Sequence, residues 1–214
     1  MKLVKKNIFA IPLYHGTSSL FLDSIIKNGL GGNDPLNELG ARELFYDLYE
    51  LANKKLVRDE SWQRNHHLLS PYVKQQNLGG NFSFKHGESY LAIGRELAIK
   101  YAHENVYGSE YLTQMMWLHT LLTLKKVEGL EAFETRSIMK LLRGSYDPIL
   151  ITLNDVNVED VETETGRPLQ EQLEEIEMFL KKGMIAPLSF KLICPIYKEN
   201  FTITKLHRDS DCKG

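Results

Sequence analysis

Ile8-Phe9-Ala10-Ile11-Pro12-Leu13-Tyr14-His15-Gly16-Thr17-Ser18-Ser19 is the stretch on which the fold turns. Ile8 to His15 reads as a short buried strand. Ser18-Ser19 can cap a following helix, in which Leu22, Ile25 and Ile26 fall on one face. Asn28-Gly29 supplies a left-handed stop. The order is strand, tight turn, helix, with His15-Gly16-Thr17 at the turn.

Working outward, Asn37 to Lys55 has Leu44, Leu48, Leu51 and Ala52 at helical spacing. Residues from about Glu60 to Gly80 read as irregular, with Pro71 and Gly79-Gly80, so 55–80 is the candidate loop or insertion. Ser89 to Ile93 is a short strand, and Arg95 to Glu104 a helix. Ser109 to Lys125 is a helix apolar on most sides, and Glu131 to Leu142 another, ended by Gly144. Pro148 to Leu153 is a strand. Asp155 to Glu177 is acidic and reads as a loop with a short helix. Met178 to Leu180, Leu188 to Ile196 and Phe201 to Thr204 read as strands. Short strands with interposed helices argue α+β rather than a doubly wound parallel sheet. No Gly-x-Gly-x-x-Gly or Walker-type loop is present.

The chain has 214 residues, 43% of them hydrophobic and 25% charged. That suits a single domain, 1–214, with a core large enough to stand without staples. Twenty-six basic and 28 acidic side chains give a net charge of -2, which provides no global field toward nucleic acid or an anionic membrane. Cys194 and Cys212 form no disulfide framework or zinc spacing. Adjacent His66-His67 lack further ligands, so no metal is expected. The apolar run after the basic start is too short for a signal peptide, and no stretch is long enough to cross a bilayer. The expectation is a cytoplasmic protein with no membrane partner.

Three pieces carry chemistry. In the first, Tyr14-His15-Gly16-Thr17, the imidazole can donate to a ligand hydroxyl. Gly16 lets a flat ligand reach backbone N–H and C=O groups that read a carboxamide edge. In the second, Tyr90-Leu91-Ala92 is followed by Tyr101-Ala102-His103. Two rings can sandwich a planar heterocycle, and a cationic one gains cation–π attraction. The third runs Glu175-Ile176-Glu177-Met178-Phe179-Leu180. In a strand, residues two apart share a face, so Glu175 and Glu177 would form a carboxylate pair suited to a reaction that builds positive charge on a sugar. The same acids also fit a solvated acidic helix from Glu171 to Glu177.

Together these windows resemble the ADP-ribosyltransferase superfamily. The order is a histidine in a His-Gly-Thr turn (His15), a tyrosine in a Tyr-Leu-Ala strand (Tyr90) and a late glutamate (Glu177). It is similar to the His-Tyr-Glu branch of diphtheria-like toxins and poly-ADP-ribose polymerases. The chain has Ala98 where polymerases usually have a serine three residues before the second tyrosine. Glu175-Ile176-Glu177 also resembles the Glu-x-Glu of arginine-directed toxins, but their opening arginine and Ser-Thr-Ser strand are absent.

The resemblance implies a split antiparallel β-sandwich with flanking helices. It implies NAD as substrate, held by His15, Gly16, Thr17, Tyr90, Ala92 and Tyr101. His15 would bond the adenosine ribose, with nicotinamide between Tyr90 and Tyr101. Glu177 would hold the ribose 2′-hydroxyl and stabilise the oxocarbenium-like transition state, and Glu175 would orient or deprotonate the acceptor. The implied activity is mono-ADP-ribosyl transfer to a macromolecule, protein ahead of RNA or DNA, in a toxin or effector that a partner protein neutralises. The alternatives are an NAD glycohydrolase and a non-catalytic binding module of the same fold.

Overall fold

A computed structural model of the chain describes residues 2–74, 87–164, 166–184 and 187–207. It is a mixed α and β protein built on an antiparallel six-stranded sheet.

Along the chain, β1 (Val4–Lys5) and β2 (Ile8–Phe9) form a two-stranded ribbon. Strand β3 (Leu13–Ser18) and helix α1 (Leu22–Asn28) follow. Then come α2 (Pro35–Glu38), α3 (Ala41–Lys55) and α4 (Glu60–Lys74). Strand β4 (Tyr90–Ala92) leads into α5 (Arg95–Glu104), α6 (Glu110–Leu124), α7 (Glu131–Glu134) and α8 (Ser137–Leu142). The remainder is β5 (Pro148–Leu153), β6 (Val161–Thr163), α9 (Leu169–Lys181), β7 (Ser189–Leu192) and β8 (Phe201–Lys205). The sheet order is β6-β7-β4-β3-β5-β8.

The chain divides into two compact units. One comprises Met1–Asn33, Glu88–Gly108 and Tyr146–Gly214, and contains the sheet; the other comprises Asp34–Gly87 and Ser109–Ser145 and is helical. Strands β3 to β8 are connected by pairing in one sheet order, and the β1-β2 ribbon is separate.

Two local expectations are corrected. The expected loop at 55–80 contains α4, while 75–80 lie outside the described residues. Asp59 starts this helix by accepting the Trp62 N–H at 3.0 Å, and Lys125 holds its other oxygen at 2.6 Å. The expected strand Met178–Leu180 is the end of α9, in which Gln172, Leu173 and Ile176 are buried. Their spacing is helical, so packing of that stripe overrides the strand pattern.

In the sheet unit, the register puts Leu13, Ile149, Ile151 and Leu153 on one face with Leu91, Phe190 and Leu192, all buried. Phe9 joins them, its ring 4.9 Å from that of Phe190. A fully buried aliphatic or Phe side chain is worth roughly 1.5–3 kcal/mol relative to exposure, so this layer anchors the sheet. The opposite face, at Gly16 and Leu150, is covered by α5 through Ala98 and Ala102.

Candidate functional site

His15 and Gly16 lie within β3, not at a turn after it. Strand β3 pairs with β5 along its whole length, from Leu13↔Leu153 to Ser18↔Pro148. With β4 it pairs only at Tyr14↔Ala92. Beyond that pair β4 continues against β7, and the two central strands part.

The hydrogen-bond phase of β3 follows from one residue. Pro148 has no N–H, so Ser18↔Pro148 cannot be a pair that exchanges two backbone bonds. Antiparallel pairs alternate between bonded and non-bonded types, so Gly16↔Leu150 and Tyr14↔Thr152 are also non-bonded. The Ser19 N–H, which donates to Asp147 O at 2.8 Å, agrees with that phase. The N–H and C=O of Gly16 therefore face β4 rather than β5, at a buried position beyond the single β3–β4 pair.

His15 bridges the parting. Its Nδ1 lies 2.8 Å from the Tyr90 carbonyl oxygen. A carbonyl only accepts, so Nδ1 carries the proton. Burial pushes the imidazole below its ordinary value of 6.5, against the opposing effect of the Tyr90 bond. The ring is neutral at pH 7, and Nε2 presents a lone pair. With Nδ1 donating to Tyr90 O, Nε2 of this tautomer can only accept a further hydrogen bond, where the sequence reading has the ring as a donor.

Strand alternation separates the side chains. Tyr14 shares a face with Ala92, and hence with Tyr90, while His15 projects from the other face. Helix α5 lies on the Tyr90 face, because a Cβ on Gly16 would point straight at the Ala98 carbonyl. Tyr90 and the α5 residue Tyr101 thus lie on one side of the sheet. Tyr101 is 38% exposed.

Thr17 is buried, and its hydroxyl donates to Gly108 O at 3.1 Å. Gly108, at φ 72°, leaves no room for a Cβ against Ser18 N. Ala92 serves the sheet between Tyr14 and Ser189.

The two glutamates do not form the expected pair. Both lie on α9, where residues two apart point in nearly opposite directions. Glu177 Oε1 accepts the Leu3 N–H at 2.8 Å, and Glu175 Oε2 takes Arg167 at 2.6 Å.

A carboxylate not singled out above does stand at the site. Glu88 Oε2 accepts the Tyr90 hydroxyl at 2.8 Å. The signal was the i, i+2 spacing of Glu88 and Tyr90 at a strand start. Among the described residues no group of three or more His, Cys, Asp or Glu could hold a metal ion, and no helix is long and apolar enough to cross a membrane. Comparison with protein-family models, with curated proteins and with solved structures gives no match to this chain.

Proposed function

We propose that the protein binds NAD at the parting between β3 and β4 and cleaves its nicotinamide–ribose bond. ADP-ribose is transferred to a macromolecular acceptor, a protein ahead of RNA or DNA. The fold proposed with it is that of the ADP-ribosyltransferases.

The observation that carries this reading is the Gly16 backbone edge. Its adjacent N–H and C=O match the acceptor and donor of a primary carboxamide, and they face β4 where the β3–β4 ladder has only one pair. Tyr90 and Tyr101 lie on one side of that edge for stacking on a pyridinium ring. The neutral His15 offers Nε2 to a ribose hydroxyl.

Thermal melting with and without NAD is the first test, since a ligand that binds only the folded state raises apparent stability. Labelled NAD with separate protein, RNA and DNA pools is the second. Label on the protein pool is the expected result. An unchanged melting temperature at millimolar NAD would sink the proposal.

The engagement of Glu177 by Leu3 and of Glu175 by Arg167 favours a second reading, a module that binds NAD without cleaving it. It predicts a thermal shift without nicotinamide release.

A further inference from the structure

The Tyr90 hydroxyl belongs to a chain of polar groups. Glu88 accepts from it through Oε2, and Lys191 Nζ lies 2.7 Å from Glu88 Oε1. The same Nζ lies 2.8 Å from Glu162 Oε1. The register aligns Tyr90, Lys191 and Glu162 in one row across β4, β7 and β6. Glu88 continues the face of Tyr90, since the Leu192 N–H bonds Ser89 O and extends the pairing by one step. The whole row therefore lies on the face that carries α5.

Such a row does more than join three strands. Lys191 has two carboxylate partners, which raise its pKa and keep it charged. Two carboxylates against one ammonium leave a surplus negative charge beside the Tyr90 ring. Glu88 is 29% and Lys191 24% exposed, so the carboxylate is fixed in place yet open to a ligand. A fixed charge of this kind stabilises developing positive charge without reorganising.

We infer that Glu88, not Glu177, is the catalytic carboxylate of the Tyr90 site. The inference rests on the NAD reading above. Glu88 takes the 2′-hydroxyl of the nicotinamide ribose and faces the positive charge that grows on C1′. The C1′–N bond breaks with its electron pair passing to the pyridinium nitrogen, which leaves as neutral nicotinamide. An acceptor hydroxyl or amine, or water, forms the new bond to C1′. Its proton passes to Glu88 and then to solvent. Lys191 is a positioning residue that holds the carboxylate against Tyr90.

The test compares the wild-type chain with Glu88→Gln and Glu177→Gln, each assayed for an NAD-induced rise in melting temperature and for nicotinamide release. Glu88→Gln is expected to keep the thermal shift and lose about 100-fold or more in release, the scale of removing one transition-state electrostatic contact. Glu177→Gln is expected to keep both. Should Glu88→Gln lose its melting transition, Glu88→Asp carries the same test; it retains the charge beside Lys191 and withdraws it from Tyr90, and release must fall. Wild-type release by Glu88→Gln, or loss confined to Glu177→Gln, overturns Glu88 and leaves the NAD reading intact. A thermal shift with no release by the wild-type chain also overturns Glu88 alone. No thermal shift in the wild-type chain overturns both.

Discussion

Gly16 and Ala98 approach so closely that a Cβ built on Gly16 would lie 1.8 Å from the Ala98 carbonyl oxygen. The Ala102 amide nitrogen would be 3.2 Å from the same position. Both obstacles are backbone, so no side chain can swing aside. Gly16→Ala is expected to cost about 3 kcal/mol or more, at the upper end of overpacking, because α5 must lift from the sheet. Urea unfolding followed by far-UV circular dichroism measures it. A variant as stable as the wild-type chain would show that α5 does not rest on β3.

Glu177 ties helix α9 to the N-terminal segment through the Leu3 N–H at 2.8 Å. Glu177→Ala leaves that buried residue's amide without its acceptor and is expected to cost about 1–3 kcal/mol. Glu177→Gln keeps an oxygen in place and should cost much less. Chemical denaturation of the pair separates a lost acceptor from a lost charge. Equal losses would assign the contact to charge.

His15 makes stability depend on pH. Its pKa is lowered in the folded protein by burial, so between 6.5 and the lowered value the unfolded chain binds more protons. Stability is therefore full above the unfolded value and falls as pH drops from about 6.5 through the folded value. In His15→Asn the side-chain amide can donate to Tyr90 O in place of Nδ1 and does not titrate. The wild-type chain should lose more stability than this variant between pH 7 and pH 5, read by denaturant midpoints. Parallel curves would mean that the imidazole is open to water in the folded state.

In the helical unit, burial pushes the Tyr111 phenol up to about 12, partly countered by the Arg42 guanidinium. The ring packs edge-on against Phe45, centroids 5.1 Å apart. A raised phenol pKa contributes stability below the unfolded value of 10.0, and that contribution is lost as pH rises toward 12. Ultraviolet titration of phenolate should show a component resisting ionisation at pH 11, and Tyr111→Phe should diminish it. An ordinary titration for every tyrosine would place Tyr111 in contact with solvent.

Helices α5 and α6 and strand β5 were legible in sequence because period and caps agree. Arg95 to Glu104 is bounded by Gly94, and Pro148 opens a nearly continuous apolar run that forms a strand buried on both faces. Helix α4 was hidden because Pro71 reads as a breaker; the start signal was Asp59, whose side chain caps it, and the ring is accepted with the loss of one backbone bond. Helix α9 was hidden by its charges. Glu175 and Glu177 look like one face of a strand, whereas Leu173 and Ile176 mark the stripe that packs. At the site, local pattern did not foretell that the side chains of His15 and Tyr90 leave opposite faces of the sheet. Nor did it foretell that Lys191, about a hundred positions later, would align with Tyr90, which only strand order decides.

In the NAD reading the recognition edge at Gly16 is main chain, and its direction follows from the phase that a proline fixes at the far end of the neighbouring strand. Replacing side chains around it can change the fit of a bound molecule but cannot delete the donor or the acceptor. Drift in the surrounding sequence would thus retune affinity and leave the carboxamide contact standing, and resistance to a compound anchored there would have to come from steric exclusion.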